Sequence, residues 1–198
     1  MSQLDVALKE WKIVWELVRE GRFALLIRKG GIHERGGGGF EVRHQKFACF
    51  PAWEHQRPEM IKSDWRERVV VQSEPEEVTL KAWAEPARIW QLTDRSAFDQ
   101  LDELHPWTDA QIDMRFNYKP ERPLWLMAVR AYDLAEPVTI PNRKAYAGCR
   151  SWVDLKPEDA VEVSREQPVM TDQAFKAVTA MVDLALGAGE RPAPPETG

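Results

Sequence analysis

Apolar side chains recur at steps of three and four near the start of the chain: Leu4, Ala7, Leu8, Trp11, Val14, Trp15 and Val18, with Lys9, Lys12 and Glu16 turned elsewhere. That period predicts one amphipathic helix, with Ser2 and Asp5 as a capping pair and Gly21 as its stop. The pattern then changes. "RFALLIRKG" is short and apolar and reads as a strand, and "FEVRHQKFACF" alternates and reads as its partner. Between them "IHERGGGG" supplies residues that tolerate positive φ, so a hairpin is the simplest connection.

Further along, "VTLKAWA" is a strand candidate in which Pro86 demands an edge, a bulge or a break before "ARIWQL". "SAFDQLDEL" spaces Phe98, Leu101 and Leu104 as a short helix. "TDAQ" opens another at Thr108, with Ile112 and Phe116 as its apolar stripe. "LWLMAVRAYDL" is nearly all apolar and fits a strand covered on both faces. Thr171 begins a closing helix striped with Phe175, Val178, Val182 and Ala185 and ending at Gly187. The elements predict a single α+β domain over residues 1–187, with a small mixed β-sheet or barrel between N-terminal and C-terminal helices. Residues 188–198, "AGERPAPPETG", hold too little apolar surface to order themselves and are expected to form a disordered tail.

Composition narrows the class. A length of 198 residues with 43% hydrophobic and 30% charged side chains suits one globular domain. No apolar run approaches the length of a membrane span, and "MSQLDVALKEW" is charged where an export signal is apolar, so a cytoplasmic protein is expected. Cys49 and Cys149 lack CxxC spacing, which argues against a zinc ribbon. A net charge of −5 argues against coating long nucleic acid. Between Arg19 and Lys46, however, seven basic residues (Arg19, Arg22, Arg28, Lys29, Arg35, Arg43, Lys46) face three acids (Glu20, Glu34, Glu41). A cationic face on an acidic protein suits a discrete anionic ligand.

Three stretches carry candidate chemistry. The glycine-rich loop and its flanks hold Arg28, Lys29, Gly30, His33, Glu34, Arg43 and His44, but neither G-x-x-x-x-G-K-[ST] nor G-x-G-x-x-G occurs, and a strand follows where a phosphate loop needs a helix. Imidazoles and carboxylates are available to a metal here. In a symmetric hairpin, though, His33 and His44 stand about 13 Å apart, at about 3.3 Å per residue, so neither a metal nor a cofactor is called for. The second stretch, "PAWEHQRP", places Trp53, Glu54, His55 and Gln56 where the chain leaves a strand, a position from which scaffolds present binding groups. The third, "YAGCRSW", packs Arg150 and Trp152 beside a glycine turn.

"ALKEW", "RKGGIHE", "FEVRHQKFACFPAWEHQ" and "YAGCRSWVDL" together resemble a bacterial family known as domain of unknown function 1802. The resemblance spans most of the chain and implies kinship without an activity. Where the family has Pro-Thr after the second strand, this chain has Pro51-Ala52, one hydroxyl fewer. "VTLKAWAEPARIWQL" and "RPLWLMAVRAYDLAEPVTIP" also look like the barrel strands of the PUA, ASCH and EVE group, whose barrel mouths read RNA or a modified base. The expected function is therefore a binding module for RNA or a modified nucleotide. In it Arg28, Lys29 and Arg43 meet phosphates, and one of Trp53, Trp125 or Trp152 stacks on a base. The rival is a metal-dependent phosphodiesterase or nuclease of the restriction-endonuclease-like group, using Glu16, Glu41 and His44 or Glu54; "EVR" departs from that group's pattern, which has lysine in place of arginine.

Overall fold

The computed structural model describes residues 2–29, 41–164 and 167–190. Ser2–Leu4 (β1) leads into Val6–Trp11 (β2), and only then does the chain turn into a helix, Lys12–Arg19 (α1). The single long helix predicted from the apolar spacing is thus a strand joined to a helix of about two turns. All six residues of β2 are buried, and a strand covered on both faces shows no alternation by which it could be recognised. The helix does stop where the glycine predicts. Gly21, at φ 68, closes α1 with paired bonds from Gly21 N to Val18 O (2.9 Å) and Arg22 N to Leu17 O (3.0 Å), a Schellman ending.

The remaining elements are Leu25–Arg28 (β3), Phe47–Ala52 (β4), Ser63–Arg66 (α2), Glu77–Leu92 (β5), Asp109–Asn117 (α3), Leu124–Pro141 (β6), Trp152–Asp154 (β7), Val161–Val163 (β8) and Asp172–Leu186 (α4). Six strands form one sheet in the order β3-β6-β5-β4-β2-β7, and β1 pairs with β8 in a separate ribbon. Among the described strands only β2 and β4 run parallel. The predicted hairpin does not form: β3 pairs with β6, while β4 lies between β2 and β5. The apolar run of β6 needs both edges bonded and both faces covered, and two strands distant in sequence, β3 and β5, supply the edges. The alternation in "FEVRHQKFACF" is realised only from Phe47 onward, so His44 precedes the strand.

β5 passes through Pro86 without interruption. A register shift between Pro86 and Arg88 accommodates the residue that lacks an N–H, and a second lies between Leu80 and Ala82. Residues Ser96–Leu104 form 3-10 turns in place of the expected α-helix. Along β4 successive side chains enter opposite clusters, Phe47 and Cys49 on one face, Ala48 and Phe50 on the other, so the sheet has a core on each side. α4 is capped by Thr171, whose hydroxyl accepts from Ala174 N at 3.2 Å. Beyond Gly187, Glu190 exchanges two 2.9 Å backbone bonds with Ile89, so the stretch predicted to be loose begins bound to β5; residues 191–198 lie outside the described part. Among the described residues no helix is long and apolar enough to cross a membrane.

The sheet curls into a half-barrel, and one contact measures how far. Arg28, at the end of β3, donates to Lys9 O on β2 (3.1 Å) across three intervening strands of the sheet order. This closure creates the cleft described next.

A candidate anion cleft at the ends of β2, β3 and β4

Arg28 also meets Glu10 at 2.9 Å, and both side chains are less than a tenth exposed. The other carboxylate oxygen of Glu10 accepts from Trp11 N at 2.7 Å. A buried charge is tolerated only when paired and hydrogen-bonded, and Glu10 is both. Just past β3, Lys29 donates to Arg115 O and Phe116 O, each at 2.9 Å, so an ammonium group holds the carbonyl end of α3. Burial draws the Lys29 pKa below the ordinary lysine value, with nearby Glu121 opposing. Arg28 thereby ties the end of β3 to β2, and Lys29 ties the residue after it to α3.

On α3 the residues Gln111, Met114 and Arg115, with Tyr118 just past its end, line a single cleft of about 380 Å³. The opposite wall is Lys9, Ala52, Glu54, His55, Arg57 and the Gly148–Ser151 turn. Gly148 has φ 86 there, in the region glycine enters without steric cost. Lys9 donates to Tyr146 O at 2.8 Å and approaches Gly148 O at 3.5 Å, which ties the turn to β2; burial lowers its pKa against the pull of Glu74 and Glu54. The turn at Trp53–Gln56 is clamped by Glu74, one of whose oxygens accepts from both Trp53 N (2.9 Å) and Glu54 N (2.8 Å). His55 occupies that turn at φ 63, a conformation costing a non-glycine residue about 1–2 kcal/mol. Its Nε2 lies 3.7 Å from the Cys149 sulfur.

The lining carries Lys9, Arg28, Lys29, Arg57, Arg115 and Arg150 against Glu10 and Glu54, a cationic recess on a protein of net charge −5. Three of the cations are committed to internal partners as described. Among the described residues, the guanidinium groups of Arg57, Arg115 and Arg150 have no hydrogen bond or ion pair, and Arg150 Nε is buried without one. Burial lowers the Arg115 pKa from its ordinary value, with Glu10 opposing. Gln111 is 1% exposed and its Oε1 is a buried acceptor without a hydrogen-bond partner among the described residues.

Of the residues expected from sequence to form a site, Arg28, Lys29, Glu54, His55 and Arg150 converge on this cleft. Gln56 is buried and structural: its Oε1 accepts from Ile13 N at 3.2 Å and so caps α1, while its Nε2 donates to Val70 O. Trp53 lines a separate groove with Trp15. Trp152 donates to Glu41 O at 2.9 Å and packs edge-on against His44 and Phe47, and Arg43 pairs with Glu41. These side chains stand apart from the cleft. Gly30, His33 and Glu34 lie outside the described residues. The carboxylates of the rival nuclease reading are also dispersed, with Glu16 bound to Lys12 beside the second groove. Among the described residues no three ligating side chains converge as a metal would require.

The sequence reading missed Lys9, Glu10, Gln111 and Arg115. Lys9 and Glu10 were hidden by the helical period of their segment. For α3 a signal existed: beside the apolar stripe of Ile112 and Phe116 runs a second, Gln111, Arg115 and Tyr118, that combines polar and aromatic groups at the same spacing.

A family profile described as Domain of unknown function (DUF1802) matches residues 7–181. The chain belongs to the DUF1802 family. Every residue lining the cleft of this DUF1802 protein, from Lys9 to Ser151, lies within the matched span. Among solved structures, the crystal structure of ASCH from Zymomonas mobilis aligns at 10% identity with a TM-score of 0.43, over 78% of this chain and 89% of that one. A search of curated proteins finds no match.

Proposed function

We propose that the cleft binds an anionic ligand of nucleotide size, and that the ligand class is RNA or a modified nucleotide. The observation that carries this reading is the set of three guanidinium groups that, among the described residues, have no partner and line the same cleft as Gln111. Planar guanidinium forks match phosphate geometry. Tyr118, 42% exposed at the rim, offers a ring for stacking. A volume of about 380 Å³ lies in the usual range for small-ligand sites.

The test is fluorescence anisotropy with short labelled single-stranded RNA, competed with mononucleotides, across a salt series. Affinity is expected to fall with a log-log slope of about −0.7 for each phosphate neutralised. Arg115→Gln and Arg150→Gln should each shallow that slope by about 0.7. Absence of binding by both RNA and mononucleotides at the lowest salt would refute the proposal.

A further inference from the structure

We infer that Cys149 and His55 form a reactive thiol–imidazole pair, a covalent modification site for carbon electrophiles that carry an anionic group. The inference rests on the reading of the cleft as an anion site. Cys149 is exposed and its sulfur stands 3.7 Å from His55 Nε2, within hydrogen-bond reach for sulfur. Both partners are placed by turns of defined geometry: His55 by the Glu74 clamp at positive φ, Cys149 by the Gly148 turn anchored on Lys9. A base positioned against a thiol is the arrangement that activates sulfur as a nucleophile. The same cleft presents what would hold the electrophile's anionic end, Arg115 and Arg150, whose guanidinium groups have no partner among the described residues. In the step, the sulfur attacks the electrophilic carbon and an S–C bond forms. The carbon's bond to the leaving group breaks, the leaving group departs with the electron pair, and the thiol proton passes to His55 Nε2.

The experiment alkylates the full chain with iodoacetamide, which is neutral, and with iodoacetate, which is anionic, and locates the label by mass spectrometry. In both reactions iodide is the leaving group. Label is expected on Cys149 and not on Cys49, which is buried and whose thiol pKa is pushed up by that burial. His55→Asn, a residue that tolerates left-handed backbone, should slow iodoacetamide about tenfold or more. Equal rates in this variant and in the parent would overturn the pair, even if the RNA titration succeeds. The ratio of iodoacetate to iodoacetamide rates should be higher in the folded chain than in the urea-unfolded chain and should collapse in Arg115→Gln. A folded ratio no higher than the unfolded one would overturn the anion preference, and with it the cleft reading, whatever His55→Asn does.

Discussion

His105 provides a quantitative test of the core beneath α3. It is 1% exposed, lies between Phe98 (4.8 Å between ring centroids) and Trp107 (5.5 Å), and neither ring nitrogen has a hydrogen-bond partner. Burial depresses its pKa to about 3, Lys62 adding to the effect and Asp102 opposing it. In the unfolded chain the same imidazole has a pKa of about 6.5. As pH falls below about 6.5, the unfolded state takes up a proton that the folded state refuses, so stability declines until the pH reaches the folded value. At about 1.4 kcal/mol per pH unit, the loss near pH 5 amounts to about 2 kcal/mol, and near pH 3 to about 4 kcal/mol. His44, whose pKa is also lowered by burial, contributes in the same direction, so the measurement must be a difference between proteins. Urea unfolding of the parent and of His105→Phe would be compared near pH 7.5, 6 and 5. Phenylalanine keeps the ring stack and removes both unpaired nitrogens, so the variant should match or exceed the parent near neutrality. The gap between the two should then widen in the variant's favour by about 2 kcal/mol near pH 5. Parallel stability curves would refute the reasoning.

Two further substitutions probe how the cleft is held. Arg28→Met strands the buried Glu10 carboxylate and should cost about 3–5 kcal/mol in chemical denaturation. Adding Glu10→Gln, which still accepts from Trp11 N, should recover most of it. Gln56→Ala removes the acceptor at the start of α1 and should cost about 0.5–2 kcal/mol, read as a lower urea midpoint with an unchanged slope.

Local signals in the chain were legible where the physics is local. Gly21 after an apolar stripe, Thr171 before another and the turn at Gly148 each depend on a few neighbouring residues, and each is found as the sequence predicts. The candidate site was half legible: Arg28, Lys29, Glu54, His55 and Arg150 were singled out by residue type and by their place at strand exits or turns. Gln56 shows the limit of such reading, since a buried amide capping a distant helix looks the same in sequence as one that meets a ligand.

By itself the sequence determined the fold class, a mixture of helices and strands, and most element positions after Glu77, where apolar runs and turn residues are long or sharply bounded. Tertiary structure alone decided that Val6–Trp11 is a strand, that β3 and β4 bond to other partners than each other, and that Lys9 and Glu10 face a cleft. The reason is energetic. Six residues of β2 gain two strand neighbours and burial on both faces, which outweighs the fraction of a kcal/mol per residue by which leucine, lysine, glutamate and alanine favour a helix. Which strands meet is set by surfaces far apart along the chain, and no window of sequence contains them.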